Sequence, residues 1–478
     1  MIKSLKNSIG IFGFLWNFLK KIKLKKGEKM KENHYEVVII GGGISGSAAA
    51  YVLARYTDIK SVAIVEKYEG LSTLNSKCTA NSQTIHCGDI ETNYTYEKAA
   101  VVSKKANMIS KYGLQHGLNE KHMFAGQKMA IGVGDEECEK IKARYEEFKT
   151  LYPYLEFFDK ETLKQIEPKI IFDRDGKERP ENVVGMGSRG GQYTTVDYGA
   201  FSNSFANNAK AQEGKTCDVY LNSQVTKIAN VGGKFYITTK NNLSISADFV
   251  LVDAGAHSLY LAHEMGYGLE KSCFPVAGSF YMTKQKLLNG KVYMVQNPKL
   301  PFAALHGDPD LAEGWCTRFG PTALVIPQLE RYHGHVVTFL EFFKTLRLDS
   351  KVISAGFDLL KDSDIRNYIL RNFLFEIPLI NKSTFIKDVR KIVPSIQPDE
   401  LRYASGFGGV RPQVVDKIQK KLLLGEASIN ECPGAIFNMT PSPGATSCLG
   451  NAKRDAIEIC KYLGKSFNED KFHAELED

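Results

Sequence analysis

The residues that most directly imply chemistry are Gly41-Gly42-Gly43-Ile44-Ser45-Gly46, with Glu66 standing 25 positions after Gly41. The run has the G-x-G-x-x-G form, and the acid follows at about the 20-residue spacing of dinucleotide-binding units. Each position has a physical task. Gly41 permits a tight turn, Gly43 lets a pyrophosphate approach the backbone, and Gly46 lets a helix pack against a strand. Ile44 and Ser45 open that helix, whose free N–H groups favour phosphate. Glu66 would accept hydrogen bonds from the adenosine ribose hydroxyls, which disfavours a 2′-phosphate, and Lys67 stands beside it.

The elements that must position these groups are legible on either side. Tyr35–Ile40 has the pattern of a buried strand, Ser47–Leu53 favours a helix, and Ser61–Val65 forms a second strand ending at Glu66. The chain beyond Glu66 favours FAD over NAD. A polar segment, Leu71–Asn93, carries Ser82, where an NAD enzyme would continue with regular strand–helix units. Short alternating strands come later, at Asp218–Leu221, Gln224–Ile228 (with Val225), Lys234–Thr239 and Leu243–Ala247. They lead into Phe249–Asp253 and an Ala254-Gly255 turn. Such a meander, returning to a buried strand, rebuilds the dinucleotide sheet of two-domain FAD oxidoreductases. Near the C-terminus, Gly409 lies in Gly406–Pro412, and Gly444, Ala445 and Thr446 lie in Pro441–Ser447. The second of these turns opens a predicted helix, Cys448–Leu463, whose positive end would face the flavin pyrimidine edge. The expected class is α/β, with FAD held non-covalently.

The chain has 478 residues, enough for two or three domains, and its 43% hydrophobic and 24% charged content is that of a globular protein. Its net charge of +8 is local: residues 1–31 hold nine lysines and one acid, Glu28, and the remaining 53 bases and 53 acids cancel. A balanced body argues against nucleic acid as a partner. The nine cysteines are scattered, with no C-x-x-C pair, so neither a disulfide framework nor a metal site is expected. The basic arm, 1–32, contains the apolar run Ile9–Leu19, whose 11 residues are too few for a span of about 20. The arm fits a surface-lying helix on an anionic bilayer, a targeting segment, or an unstructured tail before a start at Met30.

The segments A-N-S-Q-T-I-H-C-G-D-I-E-T-N-Y (80–94), P-V-A-G-S-F-Y (275–281), K-V-Y-M-V-Q-N-P-K-L-P-F-A-A-L-H-G-D-P-D (291–310), R-F-G-P-T-A-L (318–324), G-V-R-P-Q (409–413) and F-N-M-T-P-S-P-G-A-T-S (437–447) together resemble the malate:quinone oxidoreductase family. The branch resembled is that of epsilon-class proteobacteria and apicomplexans, and the likeness runs over about 35–475. It implies a peripheral membrane flavoprotein that oxidises (S)-malate to oxaloacetate and reduces quinone. Its place would be the cytoplasmic face of a bacterial inner membrane, or a mitochondrial inner membrane in a eukaryote. It also implies a FAD-binding domain of the D-amino-acid-oxidase type, made of 33–115, 185–265 and 400–478, and a mixed-sheet substrate domain of 116–184 and 266–399. A relative acting on L-2-hydroxyglutarate, or another 2-hydroxy acid or amine, is the alternative.

Oxidising a 2-hydroxy acid requires a grip on carboxylates and a base for the hydroxyl proton. Arginine matches a carboxylate with two parallel donors. Within the resemblance, Arg411 in the G-V-R-P turn and Arg318 on the strand after H-G-D-P-D are the candidates, with Gln83 as an orienting group. Histidine suits the base, because its pKa lies near working pH. His306, ending P-F-A-A-L-H, is the first expectation, and His86 in T-I-H-C-G is the second. His257 is expected to cap the helix after the Ala-Gly turn. Elsewhere, Glu136–Leu151 is predicted as a polar amphipathic helix, and 368–380 as either a core helix or a membrane-facing plateau.

Overall fold

The computed structural model describes residues 33–478 apart from 297–303, 351, 355–360, 362, 378–379, 424 and 441–442. The basic arm therefore lies outside the described residues, as does part of the segment 368–380.

The dinucleotide-binding layer forms as the apolar runs demand. Strands Asn33–Ile40 and Ser61–Val65 pair in parallel, and Val37, Val38 and Ile39 have no solvent contact. Burial on both faces is what a near-continuous aliphatic run in a parallel sheet implies. The strand order is Ala427–Ile429, Ala435–Met439, Ser244–Val252, Asn33–Ile40, Ser61–Val65 and Thr216–Tyr220. Helices Ile44–Tyr56, Tyr198–Lys210 and Cys448–Leu463 pack together beside it.

The meander differs from expectation in two respects. The stretch 216–220 is not part of it but extends the main sheet, parallel to Ser61–Val65. The last two predicted strands are one nine-residue strand, Ser244–Val252. Its first half pairs antiparallel with Lys234–Thr239, and its second half lies between Asn33–Ile40 and Ala435–Met439. Alternation along a strand reports which face is buried, not where its partner changes.

A second sheet of eight strands is mixed. It runs Arg402–Tyr403, Tyr281–Met282, Thr317–Gly320, His306–Pro309, Lys291–Met294, Lys128–Val133, Val183–Ser188, Glu156–Phe158. Only Lys291–Met294 and Lys128–Val133 are parallel neighbours in it. Helix Asp135–Phe148, the predicted amphipathic helix, packs on it and carries the pair Glu136–Lys140. A third sheet orders Leu324–Val325, Lys271–Ala277, Val410–Asp416 and Lys421–Leu422. The 368–380 segment lies mostly in helix Ser363–Leu374, where Leu370 and Phe373 are exposed, while Phe375 just beyond it is buried.

A methyl group at Gly46 would sit 2.0 Å from the carbonyl oxygen of Gly41. Gly46→Ala should therefore lower the unfolding free energy by about 1–3 kcal/mol. The check is a denaturation midpoint, and a variant as stable as the parent would show that the strand–helix contact tolerates a side chain.

Candidate active site

The three sheets and their connecting loops wall one cavity of about 260 Å³. At one end stands the glycine turn. Gly41 has φ +112°, and a Cβ there would lie 2.4 Å from the carbonyl oxygen of Asp253. Helix Ile44–Tyr56 has no acid in its first turn, and the neutral Ser76 hydroxyl accepts from its Ile44 N–H at 3.0 Å, so its positive end meets no local countercharge. Gly43, Ile44 and Ser45 line the cavity there, whereas Gly46 lies behind it in the strand–helix contact.

Glu66 closes this end. Its carboxylate accepts from the backbone N–H of Gly42 at 2.7 Å and of Tyr68 at 2.9 Å. Burial raises its pKa, against those hydrogen bonds. Lys67 pairs with Glu330 at 2.8 Å. His257 opens its helix, but its side chain engages Glu341 at 2.9 Å rather than serving as a cap.

Val225, Ala254 and Gly255 line the middle, and Gly409, Gly444, Ala445 and Thr446 line the far side with Ser82. Two side chains weld these segments. Asn75 exchanges two 3.0 Å hydrogen bonds with the backbone of Val410, and a Cβ on Gly409 would lie 2.8 Å from Asn75 Oδ1. Thr446 Oγ1 accepts from the His86 backbone N–H at 3.2 Å and lies 2.6 Å from the Tyr198 hydroxyl.

The far end holds the groups suited to catalysis. His86 lines the cavity, with Nδ1 2.6 Å from Glu91 Oε1 and Nε2 3.3 Å from Ser82 Oγ. Burial pushes the Glu91 carboxyl up, but the hydrogen bond to His86 and nearby positive charge, Lys128 included, outweigh it and hold the pKa below the usual range. Arg411 lines the same cavity, and its Nη1 is buried with no hydrogen-bond partner among the described residues. Burial lowers its pKa. A buried N–H without an acceptor is costly, and a carboxylate entering the cavity would relieve that cost.

The other predicted substrate groups take different places. His306, Arg318 and Gln83 are not on the cavity wall. Arg318 has no solvent contact, its Nη1 is 2.7 Å from Asp310, and its guanidinium stacks over Phe280, 4.3 Å from the ring centre. Its cross-strand partner is Asp308, so the ladder register supplies a countercharge that linear spacing conceals. His306 faces Tyr293 across the strands, stacks on it at 4.4 Å, and places Nδ1 2.6 Å from Asp308. Burial lowers its pKa, while Asp308 opposes that shift. Gln83 joins the two halves, donating to Asp310 at 3.1 Å and accepting from the Leu311 N–H at 2.9 Å.

Three groups escaped the sequence reading: Glu91, Lys128 and Lys291. Glu91 sits five residues after His86 in the same motif, which was the available signal. Lys128 is 1% exposed, pairs with Asp89 at 2.8 Å and donates to the Ile85 carbonyl at 3.1 Å. Lys291 donates to the Ser82 carbonyl at 3.1 Å. Lys128→Met would leave Asp89 buried without its cation and should cost about 3–5 kcal/mol of stability. Chemical denaturation checks this, and K128M/D89N should lose less than K128M alone.

Comparison with known proteins bears on the family and the fold. The family model described as "Malate:quinone oxidoreductase (Mqo)" matches residues 33–469. A probable malate:quinone oxidoreductase from Campylobacter jejuni is 59% identical over 449 residues, covering 94% of this chain and 100% of that protein. The malate:quinone oxidoreductase of Helicobacter pylori is 48% identical over 443 residues, covering 92% and 98%. Among solved structures, a dithionite-reduced L-α-glycerophosphate oxidase from Mycoplasma pneumoniae with FAD bound superposes with a TM-score of 0.62 at 20% identity, covering 90% of this chain and 95% of that one. That likeness shows the shared fold. With a match over nearly the whole described chain and relatives at this identity, the protein belongs to the malate:quinone oxidoreductase family.

Proposed function

We propose that the protein oxidises (S)-malate to oxaloacetate at the His86–Arg411 end of the cavity and passes the electrons to quinone. The observation that carries this reading is the buried, unpartnered Nη1 of Arg411 in one cavity with the His86–Glu91 pair. FAD bound along the cavity supplies the hydride acceptor. The residues present fit it: Gly41, Gly43, Ile44 and Ser45 line the cavity at a helix N-terminus whose first turn holds no acid to repel a pyrophosphate. Each Glu66 oxygen takes one backbone N–H and keeps a lone pair for a ribose hydroxyl.

The side chains divide the remaining work. Arg411 holds a malate carboxylate and so fixes the direction in which C2–H points. Among the described residues, the lysine and arginine lining the cavity are Lys67 and Arg411, and Lys67 is committed to Glu330. His86 takes the hydroxyl proton at Nε2. Facing a carboxylate, Nδ1 carries the ring proton in the resting state, so Nε2 is the basic nitrogen. Glu91 orients the ring and stabilises the imidazolium that forms. Arg318 and His306 belong to the buried frame behind Phe280 and Tyr293. Quinone is lipid-soluble, so the enzyme works at a membrane surface, on the cytoplasmic face of a bacterial inner membrane. Among the described residues no helix is long and apolar enough to cross a membrane.

Purified protein should reduce a redox dye with malate, and His86→Asn should slow this about 10²–10⁴-fold with FAD retained. Glu91→Gln should lower kcat with little change in KM. If His306→Asn shows the large loss and His86→Asn does not, the base is His306. Arg411→Lys should raise KM for malate and lower kcat, because an ammonium cannot reproduce the fork. Equal behaviour of the lysine variant and the parent would remove Arg411 from the substrate site.

A further inference from the structure

Helix His335–Leu346 is apolar towards solvent as well as towards the core. Its buried side carries Phe342 and Leu346 beside Thr338, Glu341 and Thr345. Its solvent side carries Val336, Val337, Leu340 and Phe343 at 73%, 47%, 58% and 45%. A surface helix of a globular protein turns a polar face to solvent. The anomaly spreads along the chain: of 22 exposed large hydrophobic residues among the described ones, 11 lie between Val336 and Ile380. Leu370, Phe373 and Leu374 on helix Ser363–Leu374 are exposed too, while Asn372 is buried and bonded to the Ala323 N–H.

We infer that the exposed apolar faces of helices His335–Leu346 and Ser363–Leu374 are the surface by which this protein docks onto an anionic lipid bilayer, lying in its interface without crossing it. The inference rests on the quinone-linked reading of the site and gives that reading a place on the molecule. Both helices pack on the third sheet, one on Lys271–Ala277 and the other on Leu324–Val325, and that sheet carries Arg411. Glu341, on the inner side of the first helix, lines the nucleotide end of the cavity, and Tyr368 of the second helix lies close enough to Arg411 to perturb its titration. The apolar faces therefore lie outside elements that touch the cavity at both ends.

Charge complements it. Helix Asn381–Ile392, tied to Ser363–Leu374 by Arg371–Asp388 and by the Phe375–Phe385 contact, exposes Lys382, Lys387 and Lys391. Over 335–391 the sequence holds ten bases and seven acids, in a body that nets to zero. Apolar burial with flanking cations is the composition of an interfacial anchor. The two helices lie within the family match over residues 33–469, and the basic arm lies outside it.

The test uses vesicles of phosphatidylglycerol and phosphatidylethanolamine, with quinone incorporated, and four proteins. These are the full chain, a chain beginning at Met30, and each of them carrying Leu340→Asp, Phe343→Asp, Leu370→Asp and Phe373→Asp. The substituted proteins should partition onto vesicles at least about tenfold less than their parents. They should lose reduction of vesicle-borne quinone yet keep malate-dependent reduction of a water-soluble dye. Single Phe343→Trp and Phe373→Trp proteins should fluoresce to the blue on vesicles and be quenched by brominated lipid. Unchanged partition of the substituted chains, or Trp emission indifferent to brominated lipid, overturns the inference. So does a chain from Met30 that no longer binds while the full chain does, since the arm is then the anchor. A parent dimer that the substitutions dissolve, with vesicle binding intact, assigns the face to a second copy. If the parent fails to reduce dye with malate, it is the functional reading that fails, while partition still reports on the face.

Discussion

The loop that carries His86 depends on a charge pair that water does not reach. Lys128 stands on the mixed sheet and Asp89 on the loop arriving from the dinucleotide layer, and both are 1% exposed. A buried pair contributes little net stability but penalises separation heavily, so it acts as a register device between two halves of the molecule. Lys291 is the cross-strand partner of Lys128. The two ammonium groups thus stand side by side and take two carbonyls of one loop, Ser82 and Ile85. The next residue is His86. Its ring is then fixed by Glu91 and its backbone by Thr446, so an imidazole on an irregular segment is held from three directions.

The nucleotide end of this arrangement is legible in the sequence because its determinants are local. Glycine roles within six residues and an acid at the end of the next strand follow from turn and helix geometry. The loop Leu71–Asn93 is legible as polar but not as a clasp, since Asn75 and Gln83 act on partners more than 200 residues away. The histidines show the limit most sharply. His306 and Arg318 lie in dense motifs, yet their surroundings are set by ladder register: His306 against Tyr293, Arg318 against Asp308. A motif identifies residues under constraint. Whether that constraint is a substrate or a buried countercharge depends on pairing that no single-chain periodicity encodes.

The third sheet has an importance out of proportion to its four strands. Arg411 is presented by a strand whose antiparallel partner places Val276 opposite it, and Asn75 grips the neighbouring Val410 from the dinucleotide side. The guanidinium is thereby carried by regular structure, not by a loop, which suits a group that must hold direction as well as charge. The same sheet supports helix Ser363–Leu374, whose Tyr368 lies close enough to Arg411 to perturb its titration.

The order of strands in the dinucleotide sheet has a consequence for biosynthesis. Asn33–Ile40 lies between Ser61–Val65 and Ser244–Val252, and Ser244–Val252 waits for Ala435–Met439 to cover its other edge. The wall built by Gly444, Ala445 and Thr446 arrives later still. Long-range pairings of this kind close late, because the intervening chain must be ordered first. On the ribosome, the phosphate-binding turn is made in the first tenth of the chain but has no opposite wall until translation is nearly complete. Cofactor capture is therefore a post-translational event, and until then the nascent sheet carries an unpaired hydrophobic edge that the cell must shield.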